Sequence, residues 1–417
     1  MDTATNQLIE HLLNTNNFSA TLANVQSTIY ALGLSGSYPI ILIGGTNGKG
    51  STCAYLTSIL IAGGYKVGTF TSPHILDYNE RITINNIALS DSELSAYLAQ
   101  VIAKSPVNLG IFKSFTLAAH LAFSDAQVDI VICECGIGGG RDCTNLFEPT
   151  VSAITTVGLD HCHLLGHTIE EIAREKAGIY RRGKPALFGA PKSIPSLVAY
   201  AKQIQADFSS YGQEFTVKRL ALSWDFYSKE VNYYSLPYPS LRGTEQIYNA
   251  ALALACLGKI RERFPLCLSQ IKAGLLQTRL AGRFQVLPGQ PQIILDTAHN
   301  PQALESLLHN MLKLPFAQHS YALFAIADDK DWRGIIQLAA KHFSVWYIAP
   351  LGTKRGAQIE QLSAYLNSCG VNQIIVGTSI AQVFKDAKSA LRDSDRLVCF
   401  GSFLVVEAAL RAAQSST

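Results

Sequence analysis

The chain has 417 residues, of which 48% are hydrophobic and 16% charged, and 34 Lys plus Arg against 31 Asp plus Glu give a formal net charge of +3. That length supports two to three domains, each able to bury its own core, and the near-neutral charge without a basic, aromatic-interleaved stretch argues against nucleic acid as a partner. No apolar run approaches about 18 residues and no basic-then-apolar leader opens the chain, so no membrane partner and a cytoplasmic location are expected.

In chain order, short apolar runs at 39–44, 66–71, 128–133, 151–157 and 185–189 read as strands alternating with amphipathic helical segments, the pattern of βαβ units and a mostly parallel sheet. Ser90 with Glu93 and Thr168 with Glu171 each form a possible capping box at a helix start. Residues 215–236 read as β-hairpin material and 245–258 as a buried helix. Gly and Pro then concentrate at 281–291, marking a boundary, and a second alternation follows with strands at 292–296, 321–326, 345–348, 373–376 and 396–399. The fold class is α/β: a P-loop N-terminal domain over 1–284, its sheet flanked by helices, and a smaller Rossmann-like α/β domain over 285–417.

Nine cysteines, an odd number with no C-x-x-C pair, point to reduced, mostly buried thiols. The local crowd of Cys133, Cys135, Cys143, Cys162, His161, His163 and His167 also admits a zinc reading, although its spacing fits no structural zinc module.

Open α/β sheets bind ligands outside the carboxyl ends of their strands, which ranks the polar residues there above others. Ile41–Thr52, ILIGGTNGKGST, reads as a strand running into a glycine-rich turn and a helix, a cradle whose N–H groups converge on phosphate. Lys49 would reach the β/γ-phosphates, and Ser51 or Thr52 would support Mg²⁺; the competing reading is a tight strand-to-helix turn. Further strand ends carry Ser72-Pro73-His74 with Glu80 and Arg81, the loop Glu134–Asn145 (ECGIGGGRDCTN), and Gly158-Leu159-Asp160-His161 followed by Arg174, Glu175 and Lys176. A carboxylate such as Glu134 at the end of a buried strand needs a compensating charge, which Mg²⁺ would supply. Asp296 and His299 precede Asn300-Pro301, which also reads as a helix cap with Pro at the first helical position.

Taken together and in this order, GTNGKGST, TSPH with YNERI, ECGIGGGRDCTN, GLDH, REKAGI, LRGTEQIYNA, AGRFQ and DTAHNP resemble the folate branch of the Mur ligase family, over about residues 20–410. The peptidoglycan-precursor branch carries a further substrate domain before its phosphate loop, whereas 43 residues precede Gly44 here. The resemblance implies ATP and two Mg²⁺ as cofactors, a monomer, and ATP-dependent joining of L-glutamate to dihydropteroate or to the terminal glutamate of a folate through an acyl phosphate. It implies that Thr46, Asn47, Gly48, Lys49, Gly50 and Ser51 wrap the phosphates and that Asn249, Arg283, Asp296 and His299 contact the nucleotide. It places one metal at Ser72 and Glu134 and a second at His161, and makes Lys49, Lys176 and His161 the catalytic group, with Lys176 at the position carbamylated in the family. Phe112, Phe115, Arg141, Asp142 and Cys143 match substrate contacts.

Three positions depart from the family pattern: Lys113 stands where a glutamate is common, Arg141 is displaced by one along the glycine loop, and Ser19-Ala20-Thr21-Leu22 lacks an acid. These motivate a second expectation, an ATP-binding paralogue without folate recognition.

Overall fold

The computed structural model describes residues 1–14 and 20–414, so Ser19 lies outside the described residues. The chain divides into two compact units. The first holds residues 1–158, 162–240 and 246–279; the second holds 280–417 together with Leu159–His161 and Leu241–Glu245.

In the first unit, strands β1 (Ile40–Gly44), β2 (Val67–Phe70), β3 (Ile82–Ile84), β4 (Ile87–Ala88), β5 (Ile130–Glu134), β6 (Val151–Ile154), β7 (Pro185–Phe188) and β8 (Asp207–Ser210) form one sheet in the order β4-β3-β2-β5-β1-β6-β7-β8. The six strands from β2 to β8 are parallel, and β3 and β4 extend the β2 edge as antiparallel strands. β1, β5 and β6 are buried along their whole length, as continuous apolar runs covered on both faces must be. β1 leads outward toward β2 while β6 lies on its other side, so the chain reverses direction around β1 and a crevice opens at its carboxyl end. A separate antiparallel sheet, β9 (Phe215–Arg219), β10 (Trp224–Ser228) and β11 (Asn232–Leu236), realises the hairpin expected there.

Helix Lys49–Ala62 follows β1 and is buried along most of its length, which explains why it carries no polar stripe. It packs on helices Gln246–Lys259 and Leu268–Gln277, and Ser58 Oγ donates to the Gly274 carbonyl at 2.9 Å. Both expected capping boxes form, at Ser90/Glu93 and Thr168/Glu171. The second of these helices, Ile169–Ala177, ends on the turn that buries Lys176.

The second unit is a six-stranded sheet ordered β12 (Gln285–Val286), β13 (Gln292–Leu295), β17 (Arg396–Phe400), β14 (Ser320–Phe324), β15 (Val345–Ile348) and β16 (Ile374–Val376), parallel except for β12. Its core is aromatic: the Phe324 and Phe400 rings lie 5.1 Å apart, and Trp346 meets Phe324 edge-on at 5.7 Å. Among the described residues no helix is long and apolar enough to cross a membrane.

Candidate active site

The loop after β1 is held by the loop after β6. Thr46 N donates to the Thr156 carbonyl at 2.7 Å, Asn47 N to Thr156 Oγ1 at 3.0 Å, and Thr155 Oγ1 to the Asn47 carbonyl at 2.6 Å. Thr46 Oγ1 accepts from Gly158 N at 3.0 Å. Gly48, with φ of 88°, caps helix Lys49–Ala62, and the side chain of Asn249 occupies the space a Cβ would need, its Oδ1 2.5 Å from that position. Gly48→Ala therefore combines a left-handed backbone with a clash. It is expected to weaken nucleotide binding at least tenfold by calorimetry, while the same change at Gly183, which meets nothing within 4 Å, leaves binding intact.

At the first turn of this helix Ser51 Oγ and Thr52 Oγ1 are buried and have no hydrogen-bond partner. Buried hydroxyls are ordinarily satisfied, and these two are available to a ligand's oxygens or a cation. Lys49 Nζ donates to the Gly45 and Thr46 carbonyls at 3.2 and 3.3 Å and stands 4.0 Å from the buried Glu134 carboxylate. Glu134 Oε2 accepts from Ser72 N at 3.2 Å, which joins the ends of β2 and β5. Lys176, also buried, donates to the Gly45 carbonyl at 2.9 Å. The first unit thus gathers Thr46–Ser51, Ser72, Glu134, Lys176 and Asn249 around one loop. The oxygen set of Ser51, Thr52, Ser72 and Glu134 suits a hard cation such as Mg²⁺.

The glycine loop after β5 is organised by Asp142. Its carboxylate accepts from the N–H groups of Gly136 and Ile137, both at 3.0 Å, and of Thr144 at 2.9 Å, and from Thr144 Oγ1 at 2.6 Å. Burial nevertheless pushes its pKa up, outweighing those bonds. Arg141 is exposed, and its N and Nε both reach the Glu175 carboxylate at 3.1 Å. Cys143 is buried 3.3 Å from Thr116 Oγ1 on helix Ile111–Asp125, and burial raises its thiol pKa while Lys113 opposes that rise. Phe115 of the same helix is fully buried, and the Phe112 ring fills the space beside Gly136. Phe112, Phe115, Asp142 and Cys143 therefore share one region, with Arg141 at its exposed margin.

Cys133, Cys135 and Cys143 lie in the core, and Cys135 accepts from Thr144 Oγ1. Among the described residues no three His, Cys, Asp or Glu side chains gather as a metal site, which corrects the zinc reading of that crowd: Cys133, Cys135 and Cys143 are packed in the apolar core instead.

The second unit brings together His161, Arg283, Asp296 and His299. Asp160 is the hub. Lys330 Nζ donates to its Oδ1 at 2.6 Å and stands 3.3 Å from His161 Nε2, and His299 Nε2 lies 3.5 Å from Oδ2. Burial raises the Asp160 pKa, but the His299 contact and the Lys330 and His161 charges outweigh it and hold the carboxylate well below its usual range. Asp296 accepts from Phe284 N at 2.8 Å and Ala298 N at 2.7 Å, and Arg283 lies over the Phe403 ring at 5.2 Å. The sequence pattern did not single out Lys330, although it follows the carboxyl end of β14, where the strand-end rule points. A shallow groove bordered by His319, Tyr321, Ser344 and Gln373 opens at the opposite, amino ends of β14, β15 and β16 and contains none of these residues.

Burial drives the Asp296 pKa up to about 6, against the two N–H bonds and Arg283. The folded state then holds this proton longer than the unfolded chain, so its stabilising contribution is full below about pH 4 and is lost as pH rises through 6. Asp296→Asn removes that titration. The stability advantage of the wild type over the variant is expected to shrink between pH 4 and pH 7 in denaturant titrations, and a constant difference would contradict it.

Comparison with known proteins identifies the family. The Mur ligase middle domain matches residues 43–257, and the Mur ligase glutamate ligase domain matches residues 282–403. The Escherichia coli dihydrofolate synthase/folylpolyglutamate synthase is 35% identical over 368 residues, 88% of this chain and 85% of that protein. The structure of Escherichia coli FolC in complex with DHPP and ADP superposes with a TM-score of 0.92 at 33% identity, covering 100% of both chains. A bifunctional folylpolyglutamate synthase/dihydrofolate synthase with Mn, AMPPNP and L-glutamate bound gives 0.88 at 34% identity, covering 97% of this chain and 96% of that one. The paralogue expectation finds no support among these relatives. The chain therefore belongs to the Mur ligase family, in its dihydrofolate synthase/folylpolyglutamate synthase branch, and is an ATP-dependent ligase.

Proposed function

We propose that this ligase joins L-glutamate both to dihydropteroate and to the terminal glutamate of a tetrahydrofolate. The observation that carries the reading is the phosphate loop, with its buried, unpartnered Ser51 and Thr52 hydroxyls in the first helical turn and Lys49 4.0 Å from Glu134, in a chain of Mur ligase type. The relatives bound to DHPP with ADP, and to AMPPNP with Mn and L-glutamate, support the same substrate set.

In the reaction a carboxylate oxygen of the acceptor attacks the γ-phosphorus of ATP, the bond to the β,γ-bridging oxygen breaks, and ADP leaves. The glutamate amine then attacks the acyl carbon, inorganic phosphate departs, and the amide nitrogen loses its proton to the medium. Lys49 neutralises charge that moves onto the β/γ oxygens, and the N–H groups of Thr46–Ser51 orient the phosphates. Ser51, Thr52, Ser72 and Glu134 would hold one Mg²⁺, and His161 a second. When bound, Mg²⁺ supplies charge neutralisation and phosphate alignment. Asn249, Arg283, Asp296 and His299 contact the nucleotide. Phe112, Phe115, Arg141 and Cys143 border the acceptor, and Asp142 acts by holding the glycine loop that carries Arg141 and Cys143. Carbamylation of Lys176 would supply a further anionic oxygen donor. The enzyme works as a cytoplasmic monomer.

Purified protein is expected to release ADP and phosphate only when ATP, L-glutamate and a pteroate or folate acceptor are present together. ADP release that ignores the acceptor would sink the reading.

A further inference from the structure

Arg81 ends the short turn Tyr78–Arg81 that leads into β3. Its partly buried guanidinium donates from Nε to His74 Nδ1 at 3.0 Å and lies over the rings of Tyr78 and Phe115, 5.2 and 5.5 Å from their centroids. The adjacent acid, Glu80, is committed elsewhere. Its Oε2 accepts from Ile75 N at 2.9 Å, and its Oε1 from Leu76 N at 2.9 Å and Asp77 N at 3.0 Å. Among the described residues no carboxylate pairs with Arg81 and none makes a hydrogen bond with its terminal Nη groups.

A cation withdrawn from water with no anion beside it is costly, and burial accordingly lowers the Arg81 pKa to about 10. Natural structures seldom keep such a group without an anionic partner. Its surroundings specify that partner. The guanidinium backs onto the buried Phe115 ring; Phe112, three residues earlier on the same helix, is partly exposed, and its ring meets Phe70 at 5.7 Å. A planar guanidinium fork bordered by aromatic rings matches a flat aromatic acid, with the ring against the aromatic faces and the carboxylate on the fork.

We propose that Arg81, backed by the buried Phe115, binds a carboxylate of the aromatic acceptor through its Nη groups, in a site bordered by Phe112. This rests on the ligase reading above, and it makes Arg81 a substrate-binding residue that selects for acids.

The test is calorimetric binding, without ATP turnover, of pteroic acid and of its analogue lacking the carboxylate to the full chain. The wild type is expected to prefer pteroic acid by about tenfold or more. Arg81→Met should abolish that preference while leaving affinity for the analogue within about threefold, and Arg81→Lys, which keeps the charge but not the fork, should retain only part of it. ATP affinity should not move. Equal weakening of both ligands, or an undiminished preference in either variant, would overturn the inference while leaving the ligase reading intact. A wild type that binds ATP but neither compound would overturn the ligase reading and this inference with it. Should Arg81→Met fail to fold, Arg81→Lys alone decides between these outcomes.

Discussion

Lys49→Met is expected to lower the rate of ADP formation by roughly 10³-fold in single-turnover experiments, with little change in thermal stability. The asymmetry follows from the contacts. In the folded chain Lys49 bonds two carbonyls of its own loop and stands 4.0 Å from Glu134, at a site still partly open to solvent, so few packing contacts depend on it. During transfer of the γ-phosphoryl group, negative charge moves toward the leaving oxygen, and an ammonium fixed beside it acts most strongly at that moment. Methionine keeps the length of the side chain and removes the charge. Glu134 retains its bond from Ser72 N, so the loop is expected to keep its shape. A variant within tenfold of the wild type would show that phosphate charge is neutralised elsewhere.

Replacing Lys176 by Met is expected to cost at least 10²-fold in activity, and the effect should carry a signature that simple loss of packing lacks. Lys176 is buried at the end of helix Ile169–Ala177, its amine on the Gly45 carbonyl and its backbone against Gly139 of the glycine loop. It therefore touches both loops that organise the first unit's site. If its amine carries a carbamate, wild-type activity will fall in buffer stripped of carbon dioxide and return with bicarbonate, whereas Lys176→Met will respond to neither. Short carboxylic acids should partly restore Lys176→Ala by filling the same space with the same charge. A wild type indifferent to carbon dioxide would assign Lys176 the role of a loop-bracing amine instead.

The sheet was legible because its physics is local. Buried parallel strands such as ILIG and VDIVIC are continuous apolar runs, and their ends are marked by glycine, serine or an acid. The antiparallel additions escaped that pattern. β3 and β4 are three and two residues long, and of their residues only Ile82 is buried, although the turn between them, Asn85-Asn86, has both residues at positive φ and is a recognisable hairpin turn in the sequence. β12, two residues long, has too little sequence to carry any period.

The candidate site was legible where function sits in a contiguous motif. Gly48 and Lys49 belong to one loop, and strand-end placement alone raised Glu134 and Asp296. What sequence order could not give was the use each polar group makes of its neighbours. Asp142 reads as a substrate contact in the motif, yet its four hydrogen bonds fold its carboxylate into the loop itself. Lys330 sits between two aspartates in a polar stretch and looks like a solvated lysine, yet it bonds Asp160, 170 residues away in sequence. Arg81 shows the same limit in reverse. Its neighbour Glu80 suggests a local ion pair, but that acid caps backbone N–H groups and leaves the guanidinium to the aromatic rings.

The central claim is that one site serves two acceptors, and the most direct measurement is mass-spectrometric identification of products from dihydropteroate and from tetrahydrofolate, each incubated with ATP, Mg²⁺ and L-glutamate. Dihydrofolate is expected from the first and the diglutamate from the second, each formed with one ADP per amide bond and each acceptor inhibiting the other competitively. Glutamate addition to only one acceptor, or ADP release without an amide product, would contradict it.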